Sequence, residues 1–332
     1  GLAGAALANH VIYRFAYFNP RAISPWGPAP EGVPPRRLSD RIPVLGWFGL
    51  RREAAVHGRG FWIRPLLIEL ALPLAMLWLY RFETQAGGLL PEQLRLMPPF
   101  LSGYEPTATR VFFCHAVLLI LMVAATFIDF DERTIPDIIT IPGTLLALIL
   151  GSITAEIFMP TTMVVGGIPQ VIPTTFDSPW YTPQKWMTAN GLAAGLAIWS
   201  VWCFALADWR WSSALMRRRG LSRAVRHFLD GLFHYGFWKV LAVIWCLGVV
   251  GIAWVWNVNG SAWLGLFSSL VGLAVGGGVI WAIRIVATWA LNMEAMGFGD
   301  VTLMGMIGAL IGWQAALIAF FLSPFAAIVI VL

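Results

Sequence analysis

The sequence predicts an all-α, polytopic integral membrane bundle of about nine transmembrane helices, with a cytoplasmic loop between the first two. Hydrophobic residues make up 58% of the 332 residues and charged residues only 12%, against roughly a quarter charged in an ordinary soluble domain. The apolar residues also fall into runs of about 20, the length that an α-helix needs to cross the hydrocarbon core of a bilayer. Most of this chain is therefore predicted to lie within a lipid bilayer.

Each apolar run is predicted to form one helical span. In chain order the runs are 1–18, 62–80, 111–128, 138–159, 187–207, 237–256, 262–291, 301–321 and a last run that reaches Leu332. The boundary before the last run rests on Ser323 and Pro324, a polar residue and a helix breaker. Since the chain begins on Gly1 and ends within an apolar run, we expect the first and last spans to be cut short.

The distribution of arginine predicts the orientation of these spans. The connections 19–60 and 208–236 are rich in arginine, which favours the cytoplasmic side. The connections 81–110, 160–186 and 257–261 carry few basic residues and fall on the opposite side when the spans alternate. The net charge of +5 is therefore interpreted as a topology signal and as attraction to anionic lipid headgroups, not as a sign of nucleic-acid binding.

Two aspartates are predicted to lie at the same cytoplasmic edge of the bundle. Asp129 ends one span in "ATFIDFDERTIPD", and Asp300 begins another in "NMEAMGFGDVTL". Carboxylates at the rim of the hydrocarbon have raised pKa values and favour sharing a proton. Two of them around one water form an aspartic-protease device, in which one accepts a proton from water and the other polarises the scissile carbonyl. Spacing alone leaves Asp131 nearly as good a partner for Asp300 as Asp129, because close neighbours on a helix point in different directions.

The residues just before Asp300 admit two interpretations. Gly297 and Gly299 lack a Cβ atom, so the "GFGD" backbone can turn tightly, or accept a substrate strand at close range, before a helix that starts near Val301. The alternative is a simple turn followed by an N-cap.

Other polar residues have structural alternatives beside functional ones. Glu69 lies inside a span, in "RPLLIELALP", and is a candidate for function or for a structural bond to a neighbouring helix. Asp137 follows Pro136 and is interpreted as a first-turn acid that complements the next helix dipole. The histidines show no metal-ligand spacing and are interpreted as structural or interfacial: His10, His57, His115, His227 and His234.

Two long segments resemble a known family. "FIDFDERTIPDIITIPGTLLALILG" and "MEAMGFGDVTLMGMIGALIGW" resemble the catalytic segments of the type IV prepilin peptidases, which are GxGD-type intramembrane aspartic proteases. "LANHVIYR", "SDRIPVLGWFGLR" and "RPLLIELAL" are similar to that family's first span, cytoplasmic loop and second-span start. The resemblance implies that Asp129 and Asp300 are the catalytic pair and that Gly297, Phe298 and Gly299 complete the motif. Asp137 and Glu69 are taken as supporting residues.

The resemblance also implies a domain organisation. Residues 1–80 form an N-terminal region with its loop, and residues 109–332 form the peptidase domain. The family has two spans between its catalytic segments, whereas we count four here, which predicts an inserted transmembrane hairpin at about 187–256.

Two further departures concern chemistry. The family's loop carries two CxxC pairs with zinc-type spacing, whereas the three cysteines of this chain, Cys114, Cys203 and Cys246, all lie in apolar runs. This argues against zinc and against a disulfide framework, so no metal site is predicted. The family also carries a lysine two residues after the GxGD aspartate, where this chain has Thr302.

The implied function is cleavage of the leader peptide of type IV prepilins or pseudopilins, for a type IV pilus or type II secretion system. The implied partners are these precursors and the bilayer, and the implied location is the inner membrane, with the active site facing the cytoplasm. Peptidase activity needs no cofactor; N-methylation of the product with S-adenosylmethionine stays open, because the loop cysteines are missing. The alternatives are a proton- or cation-coupled transporter that uses buried carboxylates, although the sequence shows no internal repeat, and an inactive homologue that binds pilin-like helices.

Overall fold

The protein folds into two compact units that are mostly helical. The computed structural model describes residues 1–15, 23–96, 98–165, 168–180, 182–206, 237–291 and 296–331. The first unit comprises residues 1–143 and 159–172, and the second comprises residues 144–158 and 173–332. The predicted basic connection at 208–236 lies outside the described residues.

The first unit is built around three long helices. Its helices are α1 (Leu2–Phe15), α2 (Leu45–Leu50), α3 (Ala54–His57), α4 (Ile63–Tyr80), α5 (Glu92–Arg95) and α6 (Pro98–Glu132). Ala5 and Ala8 of α1 are buried in one cluster with Leu72 and Met76 of α4. Small residues on α1 let its neighbours approach closely, as small residues do between membrane helices.

A loop of short helical turns connects α1 to α4. It contains α2, α3 and two 3₁₀ turns, Leu38–Arg41 and Arg51–Glu53. Trp47 and Leu50 are buried with Ile23 and Leu66 in a small apolar core. The segment called the N-terminal loop below is residues 23–62.

The second unit contains the remaining helices and part of α7. They are α7 (Asp137–Ile153), α8 (Ala189–Ala205), α9 (Phe237–Val258), α10 (Gly260–Leu291), α11 (Phe298–Ile311) and α12 (Trp313–Val331). Helices α10 and α11 pack backbone to backbone. A Cβ atom added at Gly272 of α10 would overlap the carbonyl oxygen of Gly308 of α11, and one added at Gly308 would overlap the carbonyl oxygen of Gly272. Glycine permits this approach because it has no side chain at the contact.

A two-stranded sheet corrects the all-α prediction. Strands β1 (Pro160–Val165) and β2 (Ile168–Pro173) pair with each other. Their sequence, "PTTMVVGGIPQVIP", places two glycines between two runs that contain β-branched residues, which is a hairpin signal. Hydropathy alone identifies this segment only as a connection between two spans, because neither run is long enough to cross a membrane.

Four described helical segments are long and apolar enough to cross a membrane: Ile63–Gln85, Gly103–Glu132, Trp238–Val258 and Gly260–Leu291. Four shorter apolar helices accompany them: Asp137–Ile153, Ala189–Ala205, Phe298–Ile311 and Trp313–Val329. These helices support a membrane protein. The count of nine spans and the cytoplasmic placement of the loop stay predictions.

The predicted span 301–321 is wrong as one helix. Gly312 separates α11 from α12 and has φ of +84°, a left-handed conformation that glycine adopts without steric cost. Its N–H donates to the Gly308 carbonyl (2.9 Å), as is common where an α-helix ends. Pro324, which the sequence suggested as the boundary, lies inside α12.

Candidate functional site

Asp300 lies in the first turn of α11. Gly297 is the N-cap residue, with φ of −70° and ψ of 157°, and Phe298 is the first helical residue. The helix therefore starts before Val301, where the sequence had placed its beginning, and Asp300 is its third residue. A carboxylate in a first turn is stabilised by the partial positive charge of the helix N-terminus. The side chain of Asp300 is half-buried.

The backbone conformation at Gly297 and Gly299 is one that other residues can also adopt. Gly297 has an ordinary extended conformation, and Gly299 is helical. A Cβ atom added at Gly297 would meet the Asp300 Oδ2 atom at 3.7 Å, an ordinary van der Waals distance. Neither glycine therefore uses the left-handed conformation that only glycine adopts readily. Gly297 is exposed, so the second prediction, close approach of a substrate strand, remains.

Two side chains hold the backbone around this motif. Arg284 of α10 donates from Nε to the Met296 carbonyl (3.2 Å), and its guanidinium carbon lies 5.6 Å from the centre of the Phe298 ring. Thr302 is buried and donates from Oγ1 to the Gly299 carbonyl (3.0 Å). Sequence reasoning missed Arg284, although a single charged residue in a long apolar helix was a usable signal.

Asp129 lies near the C-terminal end of α6 and is exposed. Its backbone carbonyl accepts a hydrogen bond from the Arg133 N–H (2.7 Å). The Asp129 carboxylate makes no hydrogen bond or ion pair with any residue that the structure describes. It is therefore accessible to a water molecule or a substrate.

Asp131 is in a different environment. Both of its carboxylate oxygens lie 2.9 Å from Nη1 of Arg64 on α4. Arg64 also donates to the Phe127 carbonyl (3.2 Å), and its guanidinium lies over the Phe127 ring. The ion pair joins α4 to α6, which gives Asp131 a structural contact that Asp129 lacks.

Glu69 makes structural contacts within the first unit. Its side chain is 2% exposed and accepts hydrogen bonds from Asn9 Nδ2 (3.0 Å) and from the Val44 backbone N–H. Asn9 donates further to the Pro65 carbonyl (2.9 Å). Glu69 therefore ties α1 and the N-terminal loop to α4, as the structural alternative for this residue predicted.

Asp137 is the first residue of α7. The helix follows Pro136, whose carbonyl accepts from the Ile139 N–H (3.0 Å). This position agrees with a first-turn acid. The structure shows no other role for it.

The potential metal ligands are dispersed. No group of three or more His, Cys, Asp or Glu side chains in the described ranges could hold a metal ion. His10 pairs with Ser24 Oγ (2.8 Å), His57 with Glu53 (3.4 Å) and His115 with Glu83 (2.6 Å). His227 and His234 lie outside the described residues.

The C-terminal helices of the second unit are similar to a known protein family. Residues 238–332 match the model of the type IV leader peptidase family. The match covers nearly all of α9 and the whole of α10 to α12, including the GFGD motif, and it supports a leader peptidase-like protease, for which aspartic catalysis is typical. No curated protein and no solved structure matches the chain.

The family match contains one of the two predicted catalytic aspartates. Asp300 lies inside it and Asp129 outside it. The two residues also belong to different compact units, Asp129 to the first and Asp300 to the second. The catalytic pair and the predicted domain boundaries therefore stay predictions from the sequence.

Proposed function

We propose that the protein is an intramembrane aspartic endopeptidase that removes the leader peptide of type IV prepilins or pseudopilins at the cytoplasmic face of the inner membrane. The observation that carries the proposal is the position of Asp300. It lies in the first turn of α11, within a GFGD motif, inside the segment that matches the leader peptidase family. Asp129 and Asp300 are the proposed catalytic pair.

The choice of Asp129 is supported by the absence of a side-chain partner for it among the described residues. A general base must accept a proton from water, so its carboxylate has to be available. Asp129 is exposed and unpaired among the described residues, whereas Asp131 is held by Arg64. Asp131 is also an exposed residue, but Arg64 holds both of its carboxylate oxygens. Asp131 is therefore assigned a structural role that joins α4 to α6.

The proposed reaction is hydrolysis of one peptide bond. One ionised aspartate accepts a proton from water, and the resulting hydroxide attacks the scissile carbonyl carbon. The other aspartate is protonated and donates to the carbonyl oxygen as the tetrahedral intermediate forms. The intermediate collapses when the first aspartate passes the proton it took from water to the leaving nitrogen and the C–N bond breaks. The second aspartate recovers its proton from the intermediate as the carbonyl re-forms. The exposed Gly297 lets a substrate backbone approach the Asp300 carboxylate closely.

The contacts of Glu69 favour this proposal over a transporter. A proton or cation relay through Asp129, Asp300 and Glu69 would need Glu69 free to exchange its bound proton or ion. Glu69 instead accepts hydrogen bonds from Asn9 and Val44 in the first unit. The proposed activity requires no metal, because the N-terminal loop contains no cysteine.

Three isosteric variants test the proposal on purified protein incubated with a prepilin, with mass spectrometry of the products. Asp129→Asn and Asp300→Asn should each lower the cleavage rate by about 10²–10⁴-fold, because each removes one member of the acid–base pair. Asp131→Asn is the matched control and should stay within about tenfold of the wild type, since it loses a partly exposed ion pair.

The outcomes separate the alternatives. Loss of cleavage in Asp131→Asn with retention in Asp129→Asn would transfer the catalytic role to Asp131. Retained cleavage in Asp300→Asn would show that Asp300 is not a catalytic residue and would contradict the proposed aspartic mechanism. A wild-type protein that binds the prepilin without cleaving it would establish the inactive homologue instead.

A further inference from the structure

Helices α10 and α11 are locked in an antiparallel register by glycine. Gly272 of α10 lies against Gly308 of α11, as described above. One turn further along α10, a Cβ atom added at Gly276 would overlap the Met304 carbonyl oxygen. At Gly277 a Cβ atom would lie 3.3 Å from the Val301 carbonyl oxygen. Because these contacts are between backbones, the two helices can adopt few other registers.

The same register brings Arg284 to the start of α11. Arg284 lies two turns beyond Gly277, and residues seven apart on an α-helix share a face. It is the only Asp, Glu, Lys or Arg in the 32 residues of α10. Its partner in the register is Met296, the residue that precedes the Gly297 N-cap.

Arg284 contacts the motif on both sides of Gly297. On one side, Nε donates to the Met296 carbonyl at 3.2 Å. On the other side, the guanidinium lies over the Phe298 ring, with 5.6 Å between its carbon and the ring centre. Arginine suits this double contact, because its planar group can donate a hydrogen bond in its plane and contact an aromatic face.

We propose that Arg284 is a positioning residue for the peptidase reaction. By holding Met296 and Phe298, it fixes the turn that leads into α11 and therefore the place of the Asp300 carboxylate. Thr302 holds the Gly299 carbonyl from within α11, so the motif is fixed from both ends. The proposal rests on the proposed function, and the effect of Arg284 on rate passes through Asp300.

Steady-state kinetics with a prepilin substrate test the role in catalysis. Arg284→Met should lower kcat by about 10–100-fold, because a misplaced catalytic group loses its reactive geometry. KM should change by less than about threefold, since Arg284 is not proposed to touch the substrate. Arg284→Lys should lie between Arg284→Met and the wild type, because it keeps the charge but not the planar group. It also provides the test if Arg284→Met does not fold.

Lys239→Met is the matched control. Lys239 is an exposed basic residue on α9, in the same unit, so its substitution removes one positive charge without touching the motif. Its kcat and KM should equal those of the wild type. A wild-type kcat in Arg284→Met, or a raised KM with unchanged kcat, would overturn the positioning role.

A spectroscopic measurement tests the contact without relying on activity. With 4-fluorophenylalanine at position 298, the ¹⁹F resonance should shift in Arg284→Met, because the cation leaves the ring, and stay unchanged in Lys239→Met. An unchanged resonance in Arg284→Met would overturn the contact even if the protein is a peptidase. Conversely, a shifted resonance in a protein that cleaves no prepilin would remove the proposed function while the contact stands. Arg284 would then have only a structural role.

Discussion

The N-terminal loop and the α10–α11 pair are held together by opposite means. In the loop, short helical turns are joined by buried charges, such as Arg36 and Glu53, whose side chains are 5% and 0% exposed. In the pair, two apolar helices touch through Gly272 and Gly308. A long helix satisfies its own backbone hydrogen bonds, so close packing is available to it, whereas an irregular loop needs side chains to satisfy its backbone.

In the N-terminal loop, the buried carboxylate of Glu53 holds an arginine that contacts several other parts of the loop. Glu53 accepts hydrogen bonds from Arg36 Nε (3.0 Å) and Nη2 (2.8 Å). Arg36 also donates from Nη1 to the carbonyls of Ser24 (2.6 Å) and Gly27 (2.9 Å). The pair therefore fixes the start of the loop to its centre without a metal ligand. The loop should be sensitive to loss of charge, and the helix pair should be sensitive to added volume.

The largest expected loss of stability comes from removing a buried charge in the N-terminal loop. Glu53→Gln leaves the buried Arg36 guanidinium without its counter-charge and should cost about 3–5 kcal/mol of stability. Limited proteolysis with trypsin, which cleaves at the loop's arginines, should then cut the loop much faster. Glu31→Gln is the control, because Glu31 is an exposed carboxylate in the same loop. Equal cleavage rates for the two variants would show that the ion pair does not hold the loop.

A smaller effect is expected from added volume in the helix pair. Gly272→Ala places a methyl group where the Gly308 backbone lies, and backbone cannot move aside as a side chain can. Overpacking of this kind costs about 1–3 kcal/mol. Gly278→Ala, on the same helix, is the matched control, because a Cβ atom there meets nothing within 4 Å.

The measurement for this pair is the midpoint of thermal unfolding in nanodiscs. It should fall for Gly272→Ala and stay close to the wild type for Gly278→Ala. If both variants unfold at the wild-type temperature, the two helices are not in backbone contact.

The smallest expected effect is a loss of loop stability at low pH, through the Arg52–Asp40 ion pair. The Arg52 guanidinium, which is hydrogen-bonded to Asp40, and the Arg37 backbone N–H hold the pKa of Asp40 below its ordinary value of 3.8. Because the pKa of Asp40 is lowered by folding, the ion pair stabilises the loop fully at pH values above 3.8. This stabilisation is lost as the pH falls through the lowered pKa of the folded protein. Since Arg52 is 29% exposed, the loss should be about 1 kcal/mol or less.

Hydrogen exchange of the loop, corrected for the intrinsic effect of pH, would detect this loss. Protection of residues 38–57 should decrease below about pH 4 in the wild type. Asp40→Asn should start from lower protection and lack this part of the pH dependence. An identical acid response in both proteins would assign it to another group.

The sequence predicted features that depend on residue type, such as a carboxylate in an apolar segment. It predicted less well the features that depend on backbone conformation or on tertiary contacts. The unusual setting of Asp300 between apolar runs was visible directly, and the family match contains it. The end of α11 was misplaced because hydropathy does not report the sign of φ, and Gly312 resembles every other glycine in the chain. Asp129 and Asp131 could not be distinguished because Arg64, the partner of Asp131, is distant in sequence.

Glu69 and Arg284 illustrate the same limit. A charged side chain in an apolar segment signals importance, but only tertiary contacts show what it touches. Glu69 contacts a helix and a loop that precede it in the chain. Arg284 contacts the turn that follows its own helix. Neither set of partners follows from composition or periodicity.

The interlocking glycines of α10 and α11 also restrict how these two helices can move. Sliding one helix along the other would bring residues that carry a Cβ atom against the carbonyls that Gly272 and Gly276 now face, and separating the helices would remove their close backbone contact. The two helices should therefore move together as one rigid body, carrying Arg284 and Asp300 without changing their spacing. If the proposed precursor helix enters the protein, the opening that admits it does not lie between α10 and α11.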